Sequence, residues 1–489
     1  MSEKILLADV TPYQTRVALL EDGDLAEYYV ERPGRERLAG NIYKGVVRNI
    51  LPGMEAAFVD IGLEKNAFLH LGDVALDNSD FQFGGESGQR VEPRLIRQVL
   101  REGQEIVVQV LKDPSGTKGA RITTNITLPS RLMVMMPHME YVGVSRRIED
   151  DGERMRLKRM AESLRPAGVG IIVRTAAQGV SEEELADEIP ALLDWWHDLE
   201  QREKKATAPK ELYRDQGLAV RAVRDMFDRD VRRYVVNDRA TYDIIHGLLT
   251  EQGIEPTALE CYDGAYDLFD RFSIESDIKK TFQRKSWLKS GGYLMIDHTE
   301  ALTVIDVNTG KYVGDSSLQE TILHTNKEAA REIARQIRLR DIGGIILIDF
   351  IDMNTEQNKE ELLATLREAL KRDRTRTNVL GITQLGLVEM TRKKIRQRVS
   401  TILHTTCPHC GGTGRVLTPQ SVAIEVLRQY KRACDNLTVE KYMLKVNVEV
   451  ADYLERSGMA REMKNVEIFS SRSSHVESFR LTPITGENA

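Results

Sequence analysis

ALTVIDVNTG (Ala301–Gly310) and GGIILIDFIDM (Gly343–Met353) are the two stretches that decide the fold of this chain. Each is an apolar run that ends in a carboxylate, which predicts a buried strand carrying an acid at its exposed end. Asp306 and Asn308 are two residues apart, so on a strand their side chains leave the same face. Asp349 follows the aliphatic run 345–348. The sequence therefore predicts two acids and an amide that converge from neighbouring strands.

These oxygen-bearing side chains are suited to a hard divalent cation such as Mg²⁺, which keeps several waters of its own. A second interpretation is that the acids only end strands or begin turns, where aspartate is common. The pattern alone leaves both interpretations open. Asp352, three residues beyond Asp349, has no assigned role.

The segments around the two strands predict helices, because apolar residues recur with helical spacing over 318–340 and 359–372. Alternation of strand and helix predicts an α/β unit. The basic stretch LGLVEMTRKKIRQR (385–398) follows, and we expect a cationic helix that faces a polyanion. The alternative for such a charge run is a solvated face.

The N-terminal third of the chain predicts sheet structure. Residues 5–20 and 23–32 predict two strands, an unfinished sheet that we expect a later segment to complete. From Gly40, short alternating strands broken by Gly and Pro predict a small barrel. Phe58 and Phe68 lie among basic residues, which suits single-stranded nucleic acid, and burial in the barrel core is the alternative. Residues 76–101 predict a polar insertion without assignable chemistry.

Arg174 and Thr175 end the apolar run GVGIIVRT, which begins at Gly168. A guanidinium fork beside a hydroxyl suits a phosphate monoester, and Arg146 and Arg147 add charge. A solvated strand end is the alternative.

Cys407-Pro-His-Cys410, followed by Gly-Gly-Thr-Gly, has the spacing of half a structural zinc site. Tetrahedral zinc requires four ligands, so we expect a second subunit to supply the other two thiolates. His404 and His409 are in-chain alternatives. A redox role for the pair is a third possibility, which the glycines disfavour.

Composition limits the remaining possibilities. At 489 residues the chain predicts roughly three or four domains. Its net charge of −6 requires any nucleic-acid surface to be local. No run approaches the ~20 apolar residues of a membrane span, and the N-terminus does not resemble a signal peptide. With four cysteines, this predicts a cytoplasmic, reducing location.

Together these motifs resemble the ribonuclease E/G family over essentially the whole chain. The blocks GNIYKG, AAFVDIG, KGA, VRTAA, VIDVNTG, IDFIDM, GLVEMTRK and CPHCGGTG occur in the family's order. The chain has no long disordered tail after its last domain, so we expect the short type of family member, without a degradosome scaffold.

The resemblance implies a multidomain α/β and α+β fold. It implies an RNase H-like domain in two parts (1–36 and 216–281) around an OB-fold RNA-binding barrel (37–124) and a 5′-phosphate sensing region (125–215). A DNase I-like catalytic domain (282–403), a zinc link (404–416) and a small dimerisation domain (417–489) follow. A homodimer, or a dimer of such dimers, is expected.

The implied activity is a Mg²⁺-dependent endoribonuclease that cuts single-stranded A/U-rich RNA, prefers a 5′-monophosphate, and leaves 5′-phosphate and 3′-hydroxyl ends. Its implied substrates are rRNA precursors and mRNA. The family's functional residues match positions in every predicted region: Asp306 and Asp349 (Mg²⁺), Asn308 (catalysis), Phe58, Phe68 and Lys118 (RNA), Arg174, Thr175, Val134, Arg146 and Arg376 (5′-phosphate), and Cys407 and Cys410 (shared Zn²⁺). Ser130 replaces a glycine of the family's pocket, and its side chain could narrow that pocket.

Two rival functions remain at this point. A non-catalytic RNA-binding scaffold would need only the barrel, but it would not need the acid–amide–acid set. A phosphatase or a DNase on the same catalytic fold would use that set, but it has less need of the barrel and the phosphate-sensing residues.

Overall fold

The computed structural model describes residues 3–34, 36–74, 96–114, 118–227, 230–251, 258–310, 318–394, 398–436 and 441–484. Two compact units form, residues 1–402 and 403–489. Most of the predicted insertion at 76–101 lies outside the described residues.

The described strands form five sheets and are, in chain order, β1 (Lys4–Val10), β2 (Thr15–Glu21), β3 (Asp24–Glu31), β4 (Ile42–Leu51), β5 (Ala56–Asp60), β6 (Ala67–His70), β7 (Glu105–Lys112), β8 (Arg121–Thr123), β9 (Leu128–Pro129), β10 (Met133–Pro137), β11 (Val142–Val144), β12 (Val169–Val173), β13 (Lys210–Tyr213), β14 (Val231–Val236), β15 (Leu259–Cys261), β16 (Lys285–Trp287), β17 (Tyr293–His298), β18 (Leu302–Asn308), β19 (Gly344–Asp349), β20 (Thr377–Ile382), β21 (Val388–Arg392), β22 (Lys441–Asn447), β23 (Val466–Ser471) and β24 (Arg480–Ile484).

The described α-helices are α1 (Ile96–Val99), α2 (Asp151–Leu164), α3 (Glu182–Ala186), α4 (Glu188–Lys205), α5 (Leu218–Met226), α6 (Arg239–Glu251), α7 (Leu268–Arg271), α8 (Glu275–Thr281), α9 (Leu318–Leu339), α10 (Glu356–Leu370), α11 (Val399–Leu403), α12 (Pro419–Asn436), α13 (Val448–Arg456) and α14 (Met459–Glu462). Among the described residues, no helix is both long and apolar enough to cross a membrane.

The N-terminal strands belong to a sheet of order β15-β14-β1-β2-β3. β1 pairs in parallel with β14, so a segment more than 200 residues further along completes the sheet, as the sequence predicts. The prediction of one strand over 5–20 is wrong, because residues 11–14 form a turn between β1 and β2, in which Thr11 N–H bonds the Gln14 carbonyl at 3.0 Å. Pro12 lies in that turn and has no N–H for a strand ladder.

The predicted barrel is present. β4, β5, β6, β8 and β7 pair in that order, and an additional β4–β7 pairing closes the ring. A five-stranded closed barrel of this kind is OB-like. β13, which follows α4 in the chain, pairs with the first residues of β4, from Ile42 to Lys44.

The region after the barrel is a sheet of order β11-β12-β10-β9. Its core is shared with α2, which lies between β11 and β12, and with the following helices α3 and α4, through Leu157, Leu185, Leu192 and Leu199. The sheet carries Arg174 just beyond the end of β12.

The α/β unit predicted around the opening stretches is a six-stranded sheet of order β16-β17-β18-β19-β21-β20. β18 and β19 are parallel neighbours, and α9 connects them. One face of the sheet is buried against α9 and α10, where Ile305, Ile346 and Ile348 meet Ile333 and Leu366. The opposite face carries Asp306 and Asp349.

The cationic helix predicted for 385–398 is wrong where the structure describes it. Residues 388–392 form strand β21, which pairs with β19, and α11 begins only at Val399. Val388 and Met390 are buried, whereas Glu389 and Thr391 face away from the core, so the run alternates as a strand does. Arg392, far from facing a polyanion, is buried in ion pairs with Asp373 and Asp341, each at 2.7 Å.

The second unit contains a small sheet in which β22 lies between β23 and β24. Val426 of α12 and Val450 of α13 pack against Leu444 of β22. This is the small domain that the sequence predicts after the cysteine pair.

Candidate active site

The two acids of the opening stretches meet near the carboxyl ends of the central strands β18 and β19 of the α/β sheet. β18 and β19 are parallel, and Asp306 is the direct cross-strand partner of Asp349. Because parallel strands end at the same edge, both carboxylates leave the sheet together, where ligands of α/β sheets usually bind. The Asn308 amide donates a hydrogen bond to Asp306 Oδ2 at 2.8 Å.

The electrostatics of this edge favour a cation. Burial raises the pKa of Asp349, and the nearby carboxylates of Asp306 and Asp352 raise it further. Both Asp306 and Asp349 are exposed, so an ion from solvent can reach them. Carboxylates that repel one another are the arrangement that a divalent cation neutralises.

The donor set therefore fits Mg²⁺, which is commonly held by one or two carboxylates, with waters and phosphate oxygens completing the shell. Among the described residues, no group of three or more His, Cys, Asp or Glu side chains is arranged to hold a metal. The protein's own share of such a site is the pair Asp306 and Asp349.

Phe58 and Phe68 are direct cross-strand partners on β5 and β6 of the barrel. Their rings meet edge to face, with centroids 6.0 Å apart. Both side chains are half-buried, and neither belongs to the described barrel core, which is built mainly from aliphatic residues such as Val47, Val59 and Leu69. The alternative that these rings are simple core residues is therefore not favoured.

Lys118 is exposed and precedes the segment that pairs with β6. The next residue, Gly119, packs so closely that a Cβ atom there would lie 2.1 Å from the Asn66 carbonyl oxygen. One residue further on, Ala120 accepts a hydrogen bond from Phe68 N–H at 2.7 Å. Glycine at 119 is thus required to bring the Lys118 segment against β6.

Three of the residues predicted to bind a 5′-phosphate line one cavity of about 910 Å³, namely Arg146, Thr175 and Arg376. Four further cations line the same cavity, which are Arg147, Arg367, Lys371 and Arg374. Its acids, Glu149, Asp150 and Asp373, are fewer. The cavity is therefore cationic and open to an anion.

Arg174 and Val134 are not among the described residues that line this cavity. The Arg174 guanidinium instead donates to the Ser130 carbonyl at 2.6 Å and to Asp225 Oδ1 at 3.2 Å. Val134 lies on β10 beside Ile172 of β12. The arginine fork predicted from sequence is thus occupied by protein groups.

Ser130 is not among the described residues that line this cavity. Its hydroxyl donates to the Glu188 carboxylate, and its oxygen lies 3.0 Å from the Met133 carbonyl oxygen. Burial raises the pKa of Glu188, although the bond to Ser130 opposes that shift. The Ser130 side chain therefore helps to stabilise this sheet.

Arg147 has a role that the sequence did not reveal. Its guanidinium donates to three backbone carbonyls of one loop, those of Lys371 (3.3 Å), Asp373 (2.5 Å) and Arg374 (2.9 Å). This loop, residues 371–376, connects α10 to β20 and carries Arg376 into the cavity. The partners are more than 220 residues away, so sequence proximity gave only the suggestion of added charge.

In the second unit, Cys407 and Cys410 lie close together, and both are free thiols. Gly414 N–H donates to Cys410 Sγ at 3.3 Å. Bonds from the Gly414 and Gly412 backbone lower the pKa of Cys410, with a smaller effect from Cys407. N–H donors aimed at sulfur stabilise a thiolate, the form that binds zinc.

The histidines near the pair have other neighbours. The His409 and His475 rings lie 4.4 Å apart, and His475 Nε2 contacts the His409 carbonyl. His409 therefore packs against the small domain. Among the described residues, it does not form a group of three metal ligands with the two cysteines.

Two family models match this chain. The model of the "Ribonuclease E/G family" matches residues 127–395, and that of "RNase E/G, Thioredoxin-like domain" matches residues 406–467. The first match spans the phosphate-cavity region and the α/β sheet, and the second spans the cysteine pair and most of the small domain. The chain therefore belongs to the ribonuclease E/G family, which confirms the predicted family and enzyme class.

Within that family the similarity is greatest to relatives of the ribonuclease G type. Ribonuclease G of Escherichia coli is 44% identical over 473 residues, which is 96% of each chain. Ribonuclease G of Haemophilus influenzae is 42% identical, covering 97% of this chain and 96% of the relative. Ribonuclease E of Haemophilus influenzae is 38% identical, and only 48% of its length is covered.

Proposed function

We propose that this protein is a Mg²⁺-dependent endoribonuclease that cuts single-stranded, A/U-rich RNA and prefers a 5′-monophosphate. The observation that carries the proposal is the pairing of Asp306 with Asp349 at the open end of two parallel strands, with Asn308 bonded to Asp306. A scaffold that only bound RNA would gain nothing from two repelling carboxylates at an exposed edge.

In this proposal Asp306 and Asp349 hold the cation. Mg²⁺, when bound, supplies Lewis-acid stabilisation of the scissile phosphate and activation of water. Asn308 fixes the orientation of the Asp306 carboxylate through its 2.8 Å bond. In-line attack by water on the phosphorus would break its bond to the 3′ oxygen and leave a 5′-phosphate and a 3′-hydroxyl, and the two acids would contribute by holding the cation in place for that attack.

The barrel would bind the RNA chain. Bases stack on Phe58 and Phe68, whose rings are only half-buried, and Lys118 holds a phosphate. Because only unpaired strands expose base faces, this surface selects single-stranded RNA.

The cationic cavity would bind the 5′ end. Arg146, Arg376 and the Thr175 hydroxyl offer charge and a neutral donor to a terminal phosphate. We propose that Arg174 also binds the 5′-phosphate, which requires its guanidinium to leave Asp225. The alternative is that Arg174, with Val134, supports the cavity without contacting the phosphate.

We further propose a homodimer in which Cys407 and Cys410 of each chain share one Zn²⁺, with dimers able to pair. The support is that tetrahedral zinc needs four ligands and the close thiol pair supplies two. The RNase H-like and DNase I-like assignments, the sequence-derived domain boundaries, and action on rRNA precursors and mRNA in the cytoplasm remain part of the same proposal.

A cleavage assay with end analysis tests the proposal. A 5′-monophosphorylated A/U-rich RNA is incubated with Mg²⁺ or with chelator, single-stranded or annealed to its complement. We expect cleavage only of the single strand and only with Mg²⁺, and products with 3′-hydroxyls that a poly(A) polymerase can extend. Products with 2′,3′-cyclic phosphates, or undiminished cleavage in chelator, would contradict it.

A further inference from the structure

A cluster of one cation and two aromatic rings lies on the strands next to Asp306. Lys285 Nζ is 3.8 Å from the centroid of the Trp287 ring and 3.6 Å from that of Tyr293. The two rings are themselves 5.5 Å apart and steeply inclined. Trp287 nevertheless remains 62% exposed.

The strand register places this cluster on the same face as the candidate active site. Tyr293 is the direct partner of Trp287 on one side and of Asn308 on the other. Residues directly opposite one another in a sheet project from the same face. Trp287, Tyr293 and Asn308 therefore form one row across β16, β17 and β18.

A second row runs parallel to the first. Lys285 is opposite Met295, Met295 is opposite Asp306, and Asp306 is opposite Asp349. Neighbouring strands are about 4.8 Å apart, so Trp287 and Lys285 lie roughly 10 Å from Asn308 and Asp306 across the sheet. That is on the order of one or two nucleotides of an extended single strand.

The cluster has the composition of a base-binding surface. A large indole face stacks on any nucleobase, and a nearby ammonium adds attraction for the phosphate that follows. A purely structural role, a cation fixed between rings at the edge of the sheet, would not require so much indole surface to remain in solvent.

We propose that Trp287 and Tyr293, with Lys285, form a stacking subsite for an unpaired nucleobase that flanks the scissile phosphate. The inference rests on the proposed function and extends it, because it gives the α/β sheet its own contact with the substrate, separate from the barrel. Trp287 is the stacking surface, Tyr293 supports it, and Lys285 holds its orientation and faces the backbone of the RNA.

The test is a scan of the substrate with abasic nucleotides. A single-stranded RNA with one cleavage site is made with one abasic nucleotide at each position around that site, and kcat/KM is measured for the wild-type protein and for Trp287→Ala. At one position within about two nucleotides of the cut, we expect base removal to slow the wild-type protein about 5- to 150-fold, the value of one stacked base. Trp287→Ala should slow cleavage of the intact RNA by a similar factor and be insensitive to base removal at that position.

Controls separate stacking from folding. Trp287→Phe should restore most of the rate and the sensitivity, and Tyr266→Ala, at an exposed aromatic beside α7, should behave as the wild type. If Trp287→Ala has no effect, or slows every abasic substrate by the same factor as the intact RNA, the subsite is refuted while the proposed function stands. If the wild-type protein cuts none of the single-stranded RNAs, the proposed function fails and the subsite fails with it.

Discussion

At the scale of single residues, the sequence carried most information where side chains act through their own strand. The spacing of Asp306 and Asn308 and the aliphatic run before Asp349 were enough to predict that they converge. Arg174 behaves differently, because its partner Asp225 is 51 residues away and no local pattern links them. The chemistry that a side chain offers could be predicted from sequence, but the groups that it actually contacts depend on tertiary packing.

The first prediction concerns the cationic cavity. Arg376→Ala should slow cleavage of 5′-monophosphorylated RNA about ten- to a hundred-fold, because a charge-assisted hydrogen bond to phosphate is worth roughly 1.5–3 kcal/mol. Cleavage of the same RNA with a 5′-hydroxyl should change little, since that end offers the arginine no charge. The ratio of kcat/KM values for the two ends is the measurement.

Arg239→Ala is a suitable control, since Arg239 is exposed on α6 and contacts its helix neighbours Asp243 and Tyr242. The same comparison applied to Arg174→Ala separates the two roles proposed for that residue. If Arg174→Ala slows cleavage of the 5′-monophosphorylated RNA alone, Arg174 contacts the phosphate. If it slows cleavage of the 5′-monophosphorylated and the 5′-hydroxyl RNA equally, Arg174 supports the sheet. Equal slowing by Arg376→Ala would remove Arg376 from the sensor.

At the scale of elements, strands and helices with a clear period were predictable, and the basic segment at 385–398 was not. Its alternation of Val388, Glu389, Met390 and Thr391 is a strand pattern, but the run of positive charge beside it suggested a cationic helix that faces a polyanion. Pairing with β19 and the burial of Arg392 against Asp373 decide the outcome. Such a buried ion pair depends on acids elsewhere in the chain and leaves no local trace.

A second prediction follows from the loop 371–376. Arg147→Ala should remove three hydrogen bonds to backbone carbonyls of this loop, and the loop should then let Arg376 move away from the cavity. The preference for a 5′-monophosphate should fall about tenfold, which corresponds to roughly 1.4 kcal/mol. Cleavage of 5′-hydroxyl RNA should be retained.

Arg147→Lys, which keeps the charge but has a single donor group, should recover only part of the preference. Hydrogen exchange of residues 371–376 should quicken in Arg147→Ala, a change that loss of a direct phosphate contact would not cause. Unchanged exchange together with a lost preference would show that Arg147 itself binds the phosphate.

At the scale of the whole molecule, buried ion pairs join regions that are distant in sequence. Glu27 of β3 bonds Arg338 of α9 at 2.8 Å, and Arg374 lies nearby, so the N-terminal sheet is tied to the α/β unit. Burial opposes ionisation of Glu27, but Arg374 and Arg338 outweigh it and lower the pKa of Glu27 to about 2. The sequence predicted both sheets but not this connection, because it gave no means of pairing acids with cations across 300 residues.

The pH dependence of stability follows from the sign of that shift. A carboxyl whose pKa is lower in the folded state stabilises the protein above its unfolded pKa, and the stabilisation is lost as the pH falls from about 5 toward 2. The Glu27 contribution is on the order of 3 kcal/mol. Glu27→Gln should therefore lower the free energy of unfolding at pH 7 and flatten its decline in acid.

Denaturant unfolding measured at about five pH values between 3 and 7 would determine both effects. Glu360→Gln, at an exposed position of α10, should leave the curve unchanged. A Glu27→Gln curve parallel to the wild type in acid would mean that Glu27 does not carry this linkage.

Assembly gives another prediction at this scale. Cys407→Ala should release zinc and shift the protein toward monomer, because each dimer loses two of its four thiolates together. Metal analysis of the wild-type protein should find about one zinc for two chains, as a shared tetrahedral site requires. Cys434→Ala, which removes an exposed thiol outside the pair, should keep both zinc and dimer.

One zinc per chain would instead favour ligation within the chain, with His404 or His409 as candidates. Loss of the metal without loss of the dimer would assign the interface to the small domain alone.

The central claim is that Asp306 and Asp349 hold a catalytic cation, and the most direct measurement is cleavage and binding of one RNA by Asp306→Asn and Asp349→Asn. Amides keep the shape but lose the charge, so single-turnover cleavage should fall by at least about a thousand-fold at every Mg²⁺ concentration. The dissociation constant for the RNA should change by less than about threefold, since affinity comes mainly from phosphate contacts and stacking elsewhere. Cleavage by either variant at near the wild-type rate would contradict the account.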